Sequence, residues 1–351
     1  YIYKYMAQND RTDNRVYKIY DTEYFIAHGH GRDRPILGLG SGDSALYLDV
    51  LPSELASSAF ETMDNEVDWN IMNHKGSQVP RLIAIQGDID SNGAQPLYRH
   101  PADEQPSLVH WTPLAATCRD IVSDTIGQRL NHALIQKYRN GRDNIGEHAD
   151  KTLDIDKGSM IVNLSLGASR VLILKSKADY SPPGDSTSRI YHKITLPHNS
   201  VFVLGWQSNR DFLHSIRQDK RMASLKTPEE LAYDEQRISL TYRLVSTYIL
   251  PNGRIYGQGG KCKTLEMVVS TNYNTFSQGT SGLNGDSVSH TCEDQCRSEV
   301  EQENSEDSSE LAQSHKLLHA FSAENKTSTF DWDEHYGCGF DIVNFSFMNN
   351  Y

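Results

Sequence analysis

Between residues 51 and 69, in LPSELASSAFETMDNEVDW, the apolar side chains Leu55, Ala59, Phe60, Met63 and Val67 recur at helical spacing. Pro52 suits a first turn and Ser53 can cap it, so the pattern predicts one amphipathic helix. A second helix is predicted from about Pro113 to Thr125, with Leu114, Cys118, Ile121 and Val122 on one face. From residue 132 the text changes to short runs rich in β-branched and aromatic residues: HALIQKYR, SMIVNLSL, RVLILKS, RIYHKITL, SVFVLGW and RISLTYRLV. Gly, Pro, Asn and Asp punctuate the gaps between these six runs. Helices followed by strands predict an α+β domain on a β-sandwich or jelly-roll core.

Outside that block the pattern weakens. Residues 1–45, with the Gly-, Arg- and Asp-rich HGHGRDRPILGLGSGD, read as a flexible lead-in, and 46–260 as the folded domain. The segment 175–189 reads as a hairpin loop and 217–236 as a charged helical insertion. Residues 261–312 are rich in small polar and acidic residues and read as a disordered acidic linker. Residues 313–351 resume a helical pattern and end in an aromatic cluster able to dock on the domain.

Charge changes the picture only once it is divided. The chain of 351 residues carries a formal charge of −12. From Lys261 onward there are five basic and fifteen acidic residues, so residues 1–260 carry only −2. The acidity belongs to the tail, and a nucleic-acid partner is not excluded. No apolar run approaches the ~18 residues of a membrane span. Five scattered cysteines argue for a reducing compartment, nucleus or cytoplasm, and against a disulfide framework.

The chemistry concentrates in NIGEHADKT, residues 144–152. His148-x-Asp150 is weak alone, since about one such triplet arises by chance in this composition. It lies, however, in a Gly-bounded loop after a strand, and a third possible ligand, His214, follows another strand. Arg237 and Arg243 are six apart in RISLTYR, which places both on one face of an extended strand. Two inward arginines are costly without anionic partners. Two His and one carboxylate on a β scaffold form the facial triad of non-haem Fe(II), which leaves positions open for a keto acid and O2. The arginine forks suit a dicarboxylate such as 2-oxoglutarate. Zinc hydrolysis is the rival for the same ligands, but it leaves the arginine pair unexplained.

The run from Asn131 to Lys177 resembles the centre of the AlkB-like alkylation-repair dioxygenases, most closely their eukaryotic DNA- and RNA-acting branch. HSI followed by RISLTYR resembles that family's distal His and Arg-x-Asn-x-x-x-Arg strand. VPRLIAIQGD, PLYRHP and WTPLAATCRDIV resemble its upstream nucleotide-lid segments, and the likeness covers roughly residues 46–250. The resemblance implies a double-stranded β-helix core carrying His148, Asp150 and His214 as iron ligands. It implies Arg237 on the distal carboxylate of 2-oxoglutarate, with Arg243, Tyr138, Gln136 and Ser239 in support. It further implies oxidative removal of N-methyl groups from bases in DNA or RNA, releasing formaldehyde, succinate and CO2. Tyr98 and His100 would sandwich the flipped base with His148. Gln136 and Ser239 stand where the family has Asn, and Thr152 stands where it commonly has a carboxylate. A cationic base would then be read otherwise, for example by Asp154. A protein or small-molecule substrate for the same oxygenase core, and a non-catalytic nucleic-acid-binding module, are the alternatives.

Other signals carry less. His290, Cys292 and Cys296 hint at a metal knuckle without the partners zinc needs. Arg217, Lys220 and Arg221 could contact phosphates or simply be solvated, and Trp69, Trp111 and Trp206 read as core.

Overall fold

The computed structural model describes residues 14–19, 22–27, 35–74, 77–101, 106–180, 189–269 and 306–343. Its first strands are β1 (Asn14–Ile19), β2 (Thr22–Ala27), β3 (Ile36–Leu39), β4 (Ser44–Tyr47), β5 (Asn70–His74) and β6 (Ser77–Gly87). Next come β7 (Gln95–Pro96), β8 (Leu108–His110), β9 (His132–Tyr138), β10 (Ile145–His148), β11 (Ile161–Gly167) and β12 (Arg170–Ser176). The last are β13 (Tyr191–Leu196), β14 (Ser200–Leu204), β15 (Phe212–Ile216), β16 (Arg237–Arg243), β17 (Thr247–Ile249) and β18 (Ile255–Gly257). The helices are α1 (Ser53–Glu66), α2 (Pro113–Ile126), α3 (Trp206–Asp211), α4 (Pro228–Leu231), α5 (Glu306–Lys326) and α6 (Trp332–Tyr336).

Two sheets make the core. The larger runs β3-β4-β14-β11-β16-β9-β6-β5, with β8 added in parallel to β6, and the smaller runs β10-β15-β12-β13. Apart from β8, every pairing in them is antiparallel. Leu172, Leu174, Phe212 and Ile216 of the smaller sheet pack with Leu39, Leu46, Ile161 and Phe202 of the larger in one apolar cluster, a jelly-roll arrangement. The opposite face of the larger sheet buries Ile135, Leu164, Ile238 and Leu240 against Phe60 and Met63 of α1 and Leu114 and Val122 of α2.

These two helices form for reasons local to the text. In α1, Ala56, Ala59, Phe60 and Met63 form one buried stripe. In α2, Pro113 occupies the first turn and Gly127 closes the end at φ 68°, a left-handed conformation that a side chain would strain. Trp69 and Trp111 pack against the cluster beneath these helices and Trp206 against the one between the sheets.

The folded domain begins earlier than the sequence pattern predicted. β4 pairs with β14, and β3 with β4, so residues from Ile36 belong to the large sheet. The turn between them is structural as well. Asp43 accepts the backbone N–H groups of Gln207 and Ser208 at 2.7 and 3.1 Å and so caps the start of α3. A Cβ on Gly205 would lie 2.2 Å from that carboxylate, so only glycine fits there.

Most of the acidic linker, and the His290/Cys292/Cys296 group within it, lie outside the described residues, as do residues 181–188 of the 175–189 loop. Beyond the linker, α5 and α6 lie on the domain. Leu317, Ala320, Phe321, Tyr336 and Phe340 bury Leu153 completely.

Candidate metal and cosubstrate centre

His148 ends β10 and His214 lies on β15, directly opposite it in the antiparallel register. Their rings are 4.1 Å apart between centroids. Asp150 follows in the loop, and its Oδ1 lies 3.7 Å from Nε2 of His148 and 3.5 Å from Nε2 of His214. All three ligand atoms fall within 4.8 Å of one another, close enough for one metal ion.

The surroundings fix which atoms face that point. Nδ1 of His148 is 2.8 Å from the carbonyl oxygen of Gly146, which leaves Nε2 for the metal. Asp150 is held through its backbone by Asn209 of α3, which accepts its N–H at 2.9 Å and donates to its carbonyl at 2.9 Å. Burial alone would raise the Asp150 carboxyl, yet Arg243 beside it, aided by His214, holds it well below the usual carboxylate range. Burial, reinforced by His214, pushes His148 down and keeps its imidazole neutral, the form that binds a metal.

The two arginines of β16 divide the work. Ile238, Leu240 and Tyr242 point to the helix-side core, while Arg237, Ser239, Thr241 and Arg243 line the cavity between the sheets. Arg243 donates to Asp150 Oδ2 from Nη2 at 2.7 Å and from Nε at 3.0 Å. It lines the same cavity as Arg237, and its near anion among the described residues is the candidate metal ligand Asp150. Arg237, 1% exposed, donates from Nη2 to Asn163 Oδ1 at 3.0 Å and Ser165 Oγ at 2.8 Å. Its Nε and Nη1 are buried with no hydrogen-bond partner among the described residues. Burial pushes this guanidinium down to about 10, the mark of a cation that lacks its counter-ion. A dicarboxylate end would supply it.

Tyr138 and Gln136, opposite Arg237 and Ser239 on β9, line the same cavity of about 440 Å³. The Tyr138 ring centroid is 5.3 Å from the Arg237 guanidinium carbon. Ser239 Oγ accepts from Asn163 Nδ2 at 2.6 Å. Gln136 accepts from Arg81 Nε at 2.5 Å, and Arg81 also donates to the carbonyl of Asn144. Arg81, Asn163, Ser165 and Asn209 went unnoticed in the sequence. For Asn163 and Ser165 a signal existed, because they alternate with apolar residues in IVNLSL and so share a face.

The residues expected to read a base fare differently. His100 is half-buried on the cavity wall. Tyr98 lines the cavity, but it is 7% exposed, its hydroxyl accepts the Lys151 N–H at 3.1 Å, and the Arg243 guanidinium covers its ring at 4.0 Å. It supports the triad loop, and Arg243 covers one face of its ring. Thr152 turns away from the cavity, giving its hydroxyl and its N–H to Glu324 of α5. Asp154 is corrected outright. It is fully buried in a bidentate pair with Arg99, at 2.6 and 3.0 Å, and cannot reach a substrate. In the charged insertion Arg221 is held by Asp219 and Glu230, and Arg217 lies 3.4 Å from Glu147.

Comparison with known proteins agrees with this geometry. The family model described as the 2OG-Fe(II) oxygenase superfamily matches residues 43–243. The chain is similar to the alpha-ketoglutarate-dependent dioxygenase alkB homolog 3 of Bos taurus, 26% identical over 194 residues, covering 54% of this chain and 62% of that protein. It is similar to the DNA oxidative demethylase ALKBH2 of Homo sapiens, 31% identical over 137 residues, covering 38% of this chain and 47% of that protein. With the protein of that name from Arabidopsis thaliana the identity is 25% over 235 residues, covering 60% and 69%. The chain thus spans less than two thirds of the length of the Bos taurus and Homo sapiens proteins.

Proposed function

Because this chain belongs to the 2OG-Fe(II) oxygenase superfamily, we propose that its cavity receives an N-methylated base of DNA or RNA and removes the methyl group oxidatively. It is an AlkB-like dioxygenase that uses Fe(II), 2-oxoglutarate and O2. The observation that carries the reading is the joint lining of one cavity by the His148, Asp150, His214 triad and an Arg237 whose buried Nε and Nη1 lack an anion.

Nε2 of His148, Nε2 of His214 and Oδ1 of Asp150 would hold the metal. Bound Fe(II) supplies O2 activation coupled to oxidation of 2-oxoglutarate to succinate and CO2. Arg237 would take the distal carboxylate, and Asn163 and Ser165 hold that guanidinium in place. Tyr138 and Ile161 help to wall the same space. Arg243 neutralises the outer oxygen of Asp150 and leaves the inner one for the ion.

Hydroxylation of an N–CH3 group gives a hemiaminal, whose C–N bond breaks to release formaldehyde and restore the base. A base must leave its stack to reach ligand atoms that lie inside the cavity, which makes a flipped or single-stranded nucleotide the substrate form. The similarity to the alkB homolog 3 and ALKBH2 proteins supports a nucleic-acid substrate. The reading places the enzyme in the nucleus or cytoplasm, with its polymer.

The test is mass spectrometry on the full chain with Fe(II), 2-oxoglutarate and oligonucleotides carrying single methylated bases. Loss of the methyl with equimolar formaldehyde and succinate is expected, and H148A and D150A should abolish both. Succinate formation that survives in H148A would overturn the ligand assignment. Failure of every oligonucleotide to lose a methyl would overturn the base reading.

A further inference from the structure

The triad loop is closed by a helix whose contacting residues lie 172 to 176 positions further along the chain. Asn325, in the last turn of α5, stands on the cavity wall with His148 and Lys151. Its Oδ1 accepts the Ala149 N–H at 3.0 Å and the Lys151 ammonium at 2.6 Å. Two donors on that atom decide the amide orientation, because an NH2 in the same place would meet only other hydrogens. Nδ2 makes no hydrogen bond to any described residue. Its two N–H groups are the unused polarity of this stretch of wall.

Among the described residues neither carboxylate on the cavity wall balances them. The carboxylates lining the cavity are Glu147 and Asp150. Glu147 is engaged by Lys175 and Arg217, and Asp150 by Arg243. Glu324, next to Asn325, is 4% exposed and faces away. Its Oε1 takes Thr152, and its Oε2 takes the Tyr336 hydroxyl at 2.8 Å. Lys151 is 3% exposed, and its ammonium is already held by Asn325 and Glu324.

We propose that Asn325 is a specificity-determining residue, selecting bases whose methylated ring nitrogen is flanked by a carbonyl oxygen. The inference rests on the base-demethylase reading above and names its substrate class. When the methyl group points at the metal, the two ring positions beside the methylated nitrogen face the cavity wall. In 3-methylthymine both carry carbonyls. In 3-methylcytosine and 1-methylguanine one does, and the other carries a nitrogen substituent. In 1-methyladenine the neighbours are a C–H and a nitrogen substituent, and neither offers a carbonyl to Nδ2. A wall that donates at this point discriminates against a partner that cannot accept, because the half-buried Asn325 donor, once a bound base shuts water out, is left unpaired.

The experiment measures kcat and KM of the full chain on four single-stranded oligonucleotides identical except for these four bases. It adds anaerobic binding of the same oligonucleotides to the Mn(II)-loaded protein, followed by fluorescence anisotropy. For the wild type, kcat/KM on the three carbonyl-flanked bases should exceed that on 1-methyladenine by about tenfold or more. N325A should collapse the difference. N325D, which replaces the donor with an acceptor, should raise 1-methyladenine relative to 3-methylthymine in both turnover and binding. Equal handling of all four bases by the wild type, or variants that depress all four alike, would overturn the proposal and leave Asn325 only a support of the loop. A wild type that demethylates none of them overturns the base reading itself, and this inference with it.

Discussion

Arg243 and Asp150 form a buried, two-pronged contact in which Asp150 Oδ2 accepts from both Nη2 and Nε, at 2.7 and 3.0 Å. One oxygen of the carboxylate is thereby taken and the other is turned toward the two imidazoles. Arg243→Met leaves a metal ligand buried and unpaired. Fe(II) affinity should fall about 10- to 100-fold, read by metal titration under argon. Denaturant unfolding of the metal-free protein should show a loss of about 3–5 kcal/mol.

Arg237 should behave in the opposite way toward stability. Two of its nitrogens are buried without a partner, so Arg237→Met removes an uncompensated cation from the interior. Unfolding midpoints should stay level or rise. Binding of 2-oxoglutarate should weaken about 30-fold or more, because a desolvated charged hydrogen-bond pair is lost. A 2-oxoglutarate titration by calorimetry checks this. Unchanged binding would move the cosubstrate elsewhere.

Arg99 tests the attachment of the C-terminal segment. It pairs with Asp154 and donates to the carbonyls of Gly259, Phe340 and Ile342 at 2.8, 2.7 and 3.1 Å. Arg99→Met should cost about 3–5 kcal/mol, the range for one lost partner of a buried ion pair. Limited proteolysis should then cut within 306–343 before it cuts the sheets.

His132 sets an acid dependence. Burial, reinforced by Arg243 and His100, holds its imidazole well below the ordinary value, and burial lowers His192 too. Below about pH 6.5 the unfolded chain takes up protons that the folded chain refuses. Stability of the metal-free protein should therefore fall as pH drops from 7.5 to 5.5, by up to about 1.4 kcal/mol per pH unit for each such histidine. Urea midpoints at the two pH values measure it, and His132→Gln should flatten the slope.

The triad and the inward placement of Arg237 were legible because both follow from short-range rules. A strand alternates its faces, so Arg237 and Arg243 had to share one, and His148 and Asp150 are only two residues apart where β10 runs into its loop. Which anion each arginine meets is a matter of register between strands and loops, and no spacing within RISLTYR encodes it. Asp154 was misplaced because sequence nearness to Thr152 suggested a shared cavity. In the fold the backbone N–H of Ser246 bonds to the Asp154 carbonyl, and Arg99 claims its carboxylate. Asn325 and Glu324 gave no signal, since a helix of ordinary polar text reveals nothing about a loop 172 to 176 residues upstream.

Lys177 closes the account of that helix. Its buried ammonium donates to the carbonyls of Glu324 and Thr327 at 2.5 and 3.2 Å, fastening the last turn of α5 where it abuts the triad loop. The triad loop thus gets its final brace from residues translated long after His148 and His214. On the ribosome the sheets can assemble first, but a nascent chain that has not yet emitted Asn325 has no finished wall.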